Sequence, residues 1–299
     1  MPALCVSVGE DFNLDLTMYP SFLSSIYDFE KPGYWVRRIG FKHLLVQQGG
    51  ELCCSGDGCS HRLLHGIGGL WCWSDCISIL RDSGFNWLLE LYPGLRIAAA
   101  LEPVDRILVS SAVVLSANTS YAGNVRRWMK LIFGGLDLKE SSLLVEAAST
   151  AEKLTSPQPR LLARILPELR DVVLKVGEVS LETLRKRLLS IKGVGPKIAD
   201  AIILFTGASS MVAPGDRHLT RFARYYLGLT GKLASKNMCL KGGAWCRTCS
   251  ISRQCLQGLI VASFSAGAGL VQTISYVHGR LGTTSWREKL YRELEAFYR

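Results

Sequence analysis

Hydrophobic and polar positions follow two different rhythms along this chain. Over residues 12–56 the apolar positions fall in short runs, FNLDLTM, YWVRRIG and HLLVQQ, and Gly49-Gly50 separates the last from ELCCS. Runs of that length between turn residues predict extended segments and a small antiparallel sheet. From Trp71 onward the apolar residues recur every three to four positions. That spacing predicts helices near 71–82, 103–117, 122–133, 139–150, 159–174, 180–191, 196–207, 216–227, 262–279 and 285–298. In the helix opening at Ser180, Leu181, Leu184, Leu188 and Ile191 share one face while Arg185, Lys186 and Arg187 take the other. Pro196 suits a first helical turn, where a missing N–H costs nothing. Ser285 and Glu288 have capping-box spacing ahead of Leu290, Leu294 and Phe297. PQPR at 157–160 reads as a loop between helices, and no internal repeat or low-complexity tail is evident. The fold class expected is α+β: a small N-terminal antiparallel sheet domain, residues 1–66, followed by a mostly helical part, 67–299, in two subdomains.

Composition sharpens this picture. With 48% hydrophobic residues in 299, the chain can bury ample core, and 35 Lys+Arg against 25 Asp+Glu leave a charge of +10 that points to a polyanionic partner. The start, MPALCVSVGEDF, lacks the positive and apolar regions of a signal peptide, so an intracellular protein of the cytoplasm or nucleoid is expected. The uncharged run 256–279 carries Gln257, Gln272 and Thr273 among several Gly and Ser, and reads as a buried helix with its connection rather than a membrane span. Ten cysteines in such a compartment suggest metal ligation before disulfides, hyperthermophiles excepted. Cys5, Cys53, Cys54, Cys59, Cys72 and Cys76 are scattered, whereas Cys239, Cys246, Cys249 and Cys255 share one short window.

The sharpest chemical signal is KGVGPKIADAI at 192–202, followed by GDRHLTR at 215–221. A tight turn of Gly193, Val194 and Gly195 between two helices lets backbone N–H groups approach a DNA phosphate without reading sequence. Lys197 starts the second helix, where the helix N-terminal field and neighbouring cations disfavour its protonated form and favour a nucleophilic amine. Asp216 can return beside it, and His218 and Arg221 follow at spacing suited to phosphate contacts.

These phrases resemble the helix-hairpin-helix DNA glycosylase superfamily, in the subset with a lysine nucleophile and a later aspartate. The wording K-I-A-D is more similar to 8-oxoguanine DNA glycosylase/AP lyases than to endonuclease III. Three further stretches carry the resemblance. FNLDLTMYPSF with YWVRRIGFKHLLVQQGGELCCS is similar to the N-terminal sheet domain of the 8-oxoguanine enzymes. LEPVDRILVSSAVVLSANTSYAGNVRRWMKLIFGG resembles the helix-loop-helix that fills the gap left by an extruded nucleotide, which implies that role for Asn118, although Asn118 suits ordinary helix capping equally. AGLVQTISY resembles a C-terminal helix bearing a Gln and an aromatic four residues on, here Gln272 and Tyr276, one to meet a purine's Watson–Crick edge and the other to stack on its plane.

The window Cys239, Cys246, Cys249, Cys255 reads C-x6-C-x2-C-x5-C, which suits a [4Fe–4S] cluster or, second, structural zinc. Its spacing matches the iron–sulfur loop of endonuclease III and the adenine-mismatch glycosylases. Two departures stand out. The loop comes 23 residues after Asp216 and before the AGLVQTISY helix, where the 8-oxoguanine enzymes generally have no cluster. Those enzymes also carry a Ser-Gly-Gln phrase whose glycine carbonyl recognises the oxidised base, whereas this chain has YPSFLSS, with Ser21 or its neighbour near that position.

Among weaker candidates, Cys53, Cys54 and Cys59 with His61 match no known ligand pattern and read as free or disulfide-bonded thiols. Trp71, Trp73 and Trp128 read as packing, and Tyr225 and Tyr226 as structural. The resemblance implies a monomeric enzyme that binds double-stranded DNA containing a damaged base, with no membrane role. It would break the glycosidic bond through a Lys197 Schiff base and β-elimination, with Asp216 assisting. Two rival readings stay open: an endonuclease III-like enzyme for oxidised pyrimidines, and a non-catalytic iron–sulfur DNA-binding module.

Overall fold

A computed structural model describes residues 3–117, 121–136 and 143–298. Five strands form one antiparallel sheet: β1 (Leu4–Ser7), β2 (Tyr27–Lys31), β3 (Tyr34–Arg37), β4 (His43–Gln48) and β5 (Glu51–Gly56), in the order β1-β5-β4-β3-β2. Gly49, at φ +55, turns β4 into β5 as expected. The segment FNLDLTM is not a strand. Asn13 accepts from the Leu16 N–H and caps a short helix, α1 (Leu14–Met18), whose residues are all buried. The cap overrides a pattern that alternates like a strand.

Helices make up the rest. α2 (His61–Ile67), α3 (Trp73–Asp82) and α4 (Trp87–Leu91) lead into the buried α5 (Pro103–Leu115). A π-helical turn over 121–125 precedes α6 (Arg126–Phe133), followed by α7 (Leu143–Lys153) and α8 (Pro157–Val173). The PQPR stretch is thus helix, not loop: Pro157 occupies the first turn, where proline is pre-set for helical φ. α9 (Leu181–Ser190) and α10 (Pro196–Phe205) flank the Gly-Val-Gly turn, and α11 (Arg217–Tyr226) begins at Asp216. α12 (Lys236–Lys241) lies in the cysteine loop.

The uncharged run folds as two helices, α13 (Leu256–Phe264) and α14 (Ala268–Leu281), broken at Ser265, which sits at φ +44. By length and composition this pair could cross a membrane, yet 78% of its most apolar window is buried inside the protein. α15 (Trp286–Tyr298) ends the described chain, and Ser285 before it adopts φ +52 rather than the extended conformation of a capping-box serine.

The last helix returns to the sheet. Tyr298 meets Trp35 edge-on at 5.4 Å, and the buried Asp15 carboxylate accepts from Trp35 Nε1, the Gly33 N–H and Tyr291 Oη. On the other side, Arg37 of β3 pairs with Asp105 of α5, both buried. Sheet, α5 and α15 therefore share one core, and a cavity forms where α5 and α15 meet α10, α11 and α14.

Candidate active site and cysteine loop

The hairpin forms as its sequence suggests. Gly193 sits at φ +87, and a Cβ there would stand 2.7 Å from Leu161, so glycine is required on both counts. Val194 is buried, anchoring the turn, while Gly195 faces open space and precedes α10 as its N-cap. Lys197 is exposed and stands in the first turn of α10. Asp216 caps α11, its Oδ1 accepting from the Leu219 N–H at 2.8 Å.

Lys197, Asp216, His218, Gln272 and Tyr276 all line one cavity of about 790 Å³. Gln272 and Tyr276 share a face of α14, as their spacing predicts. Gln272 is 6% exposed, and its Oε1 is buried with no hydrogen-bond partner. A buried amide oxygen left unpaired is costly. His218 packs edge-on against Tyr276, ring centroids 5.3 Å apart. A Cβ on Gly279 would stand 1.9 Å from His218 Nδ1, so that glycine lets α14 lie this close to α11. Burial lowers the pKa of His218, opposed by the Asp216 charge, and burial raises that of Tyr276.

Sequence reasoning missed part of the wall. Arg280 lies four residues beyond Tyr276, and the i, i+4, i+8 series Gln272, Tyr276, Arg280 was there to be read. Arg280 pairs with Glu293, whose carboxylate also accepts from Tyr19 Oη, so α14, α15 and the segment after α1 are joined at the cavity. Arg126 lines it too, donating to Asp28 and to the Phe297 carbonyl and lying 3.7 Å from the Tyr298 ring centroid. Nothing local in the sequence marks Arg126 for this position.

Other expectations are corrected. Ser21 is 1% exposed and does not line the cavity. Its carbonyl accepts from the Ser24 N–H and Oγ and its own Oγ contacts the Ala98 carbonyl, while Pro20 and Phe22 reach the wall. The phrase YPSFLSS forms a short 3-10 turn capped by Ser21, which turns that residue inward. Arg221, read as a phosphate contact, is exposed on α11 outside the cavity lining, a position consistent with that reading. Asn118 lies outside the described residues. Tyr225 is not structural packing, being 74% exposed, whereas Trp128 is buried as read.

Cys239, Cys246, Cys249 and Cys255 are free thiols around a second, small cavity with Arg185 and Met238. Arg185, 1% exposed, binds there from α9. It donates to Asp200 at 2.6 and 3.2 Å, to the Ala244 carbonyl at 2.7 Å and to Cys239 Sγ at 3.6 Å. The Gly258 N–H donates to Cys255 Sγ, and Lys236 Nζ donates to the Ile191 carbonyl at the hairpin. Four inward sulfurs with N–H donors aimed at two of them form a donor set that fits a thiolate-held metal group.

The N-terminal cysteines behave differently. Cys5 is bonded to Cys53 across β1 and β5, and Cys54 to Cys59. Cysteine-rich groups here, His43 with Cys54 and Cys59 and Cys5 with Glu51 and Cys53, bring ligand atoms within 4.8 Å of one another. In both, the sulfurs are spent on the disulfide, and His43 has both ring nitrogens engaged, with Tyr27 Oη and the Asp57 carbonyl.

No protein-family model and no curated protein matches this chain. Its fold does match solved structures. It superposes on MBOgg1 in complex with a low-affinity DNA ligand, with TM-score 0.61 and 16% identity over 93% of this chain and 95% of that one. On Clostridium acetobutylicum 8-oxoguanine glycosylase/lyase in complex with double-stranded DNA containing cytosine opposite 8-oxoG, the values are 0.58 and 15%, over 93% and 95%. On the 3-methyladenine DNA glycosylase from Archaeoglobus fulgidus they are 0.63 and 15%, over 94% and 99%. The chain therefore has the fold of the helix-hairpin-helix DNA glycosylases.

Proposed function

We propose that the protein is a DNA glycosylase with AP lyase activity that extrudes a damaged base, 8-oxoguanine first among the candidates, from double-stranded DNA. One observation carries this reading: Lys197, Asp216, Gln272 and Tyr276, from three separate helices, line one cavity within the range of ligand sites. The extruded base would stack on Tyr276 and donate an N–H to the unpaired Gln272 Oε1. The Lys197 amine adds to the sugar C1′ as the glycosidic bond breaks, its electron pair leaving with the base. Asp216 takes up the proton released from that nitrogen and opposes the positive charge building on the sugar. Opening of the sugar ring leaves a C1′ imine on Lys197, and loss of the C2′ proton then expels the 3′ phosphate by β-elimination. The hairpin N–H groups and His218 hold flanking phosphates.

Cys239, Cys246, Cys249 and Cys255 would hold a [4Fe–4S] cluster, which when bound cross-links the loop and supplies a one-electron centre. Four thiolates in one short loop also suit tetrahedral zinc, and iron analysis with the visible absorption of the purified protein distinguishes the two.

Borohydride trapping on a panel of lesion-bearing duplexes tests the reading. A covalent adduct is expected with 8-oxoguanine, and Lys197→Gln should abolish it while DNA binding persists. An adduct formed equally by Lys197→Gln would overturn the nucleophile. The panel includes oxidised pyrimidines, for which the endonuclease III-like cysteine loop is the specific argument; Gln272→Ala should then spare the pyrimidine lesions and impair the purine ones.

A further inference from the structure

The outward side of α11 is unlike the cavity wall at its start. Arg217, Arg221, Arg224 and Tyr225 fall at i, i+4, i+7 and i+8, on one helical face, and all four are exposed. The opposite side spends its aromatic residues on packing: Phe222 stacks on Tyr226 at 4.9 Å, and His278 closes edge-on against both. Tyr225 takes no part in that cluster. Its ring lies 5.8 Å from the Arg224 guanidinium, and 74% of the residue is exposed.

Three guanidiniums share this face, and among the described residues none of them forms an ion pair. Arg38 and Arg280 are paired with carboxylates, whereas Arg62, Arg81, Arg127 and Arg164 are, like the stripe, exposed without an ion pair among the described residues; what sets the stripe apart is three such charges and a ring on one face of one helix. Its placement is directional. Arg217 lines the cavity beside Asp216, and the stripe leads outward from there. Seven residues from Arg217 to Arg224 rise about 10.5 Å, a length that spans more than one phosphate of a DNA strand.

We propose that this face of α11 is a second grip on the phosphodiester backbone of duplex DNA, separate from the α9–α10 hairpin. Arg221 and Arg224 each neutralise a phosphate of the strand leading away from the cavity, and the Tyr225 ring lies against that strand's sugars. A membrane surface fits poorly, because a helix lying in an interface presents several apolar side chains at one depth, and here there is one ring. Only the direction of the strand rests on the glycosylase reading; the charge of the stripe acts on undamaged DNA as well.

The test measures binding of the full chain to an undamaged fluorescent duplex from 50 to 400 mM salt. Each phosphate contact contributes about 0.9 to the slope of log K against log salt, so Arg221→Ser with Arg224→Ser should lower that slope by about 1.8. Tyr225→Ala should weaken binding with the slope unchanged, because it removes contact and no charge. These positions are exposed, and matching thermal melts would show the variants folded. An unchanged slope in the double variant overturns the proposal, as does loss of binding to an acidic polypeptide with DNA binding intact. Trapping on damaged duplex separates the two readings. A reduced slope without an adduct keeps this surface and removes the lyase, whereas an adduct with an unchanged slope does the reverse.

Discussion

Arg185 joins the cysteine loop to the helix that carries Lys197, and replacing it isolates that connection. Arg185→Met keeps the length of the side chain but leaves the Asp200 carboxylate, 1% exposed, with no counter-charge. It also removes donors from the Ala244 carbonyl and Cys239 Sγ. Removing one partner of a buried ion pair costs about 3–5 kcal/mol, on the order of 10 °C in melting temperature for a chain of this size. The cost should depend on pH with a definite sign. Burial pushes the Asp200 carboxyl up and Arg185 opposes it, so in the variant the folded state binds a proton that the unfolded state releases near pH 4. Stability of the variant therefore falls as pH rises above that point, and the deficit is larger at pH 8 than at pH 5.

Urea unfolding of parent and variant at the two pH values reads this directly. Arg185→Met combined with Asp200→Leu removes the stranded charge and should recover part of the loss. If the single variant unfolds at the parent midpoint, or the double variant loses the sum of the two single losses, then this pair does not hold the loop to α10. The iron content of the purified variant then distinguishes damage at the cysteines from damage at the helix.

Three further outcomes follow from the geometry. Burial lowers the His43 pKa to about 4, so the unfolded chain binds a proton between pH 6.5 and 4 that the fold refuses. About 3 kcal/mol of stability should be lost on acidification through that window, and His43→Gln should show a correspondingly smaller difference between urea midpoints at pH 7 and pH 4. Gln272→Leu removes an unpaired buried oxygen and should raise stability by about 1 kcal/mol while lesion cleavage collapses; a destabilised variant would mean that the amide is satisfied after all. Cys5→Ser opens the disulfide between residues 48 apart and should cost about 4 kcal/mol in non-reducing buffer, with little difference once dithiothreitol is added to both proteins.

What was legible in the sequence was local chemistry with a single geometric solution. Gly-Val-Gly before Pro196 could only turn between helices, and Asp216 caps the helix it precedes. Gln272 and Tyr276 share a face because four residues make about one turn. Misreadings came where a local cap or a proline outweighed the apolar pattern: Asn13 made a helix of FNLDLTM, and Pro157 opened α8 where a loop was expected. The disulfides depended on strand register, since Cys5 faces Cys53 only once β1 pairs with β5.

The cavity wall shows a different limit. Tyr19, Arg126 and Phe297 are separated by more than a hundred residues each, and they meet because α15 folds back over the sheet and α6. No periodicity encodes that return. It is held by partly buried hydrogen bonds, Tyr291 Oη to Asp15 near the middle of α15 and Tyr298 Oη to the Ser24 carbonyl at its end. Gln272 differs from these residues. Tyr291 and Tyr298 find protein partners, whereas the Gln272 oxygen, buried on the face of α14 that lines the cavity, has none. Among the described residues the other buried side-chain atoms without a partner, Arg96 Nε, Arg106 Nε and Ser110 Oγ, lie off that cavity, so Gln272 Oε1 is the one such atom in the wall that also holds Lys197 and Asp216.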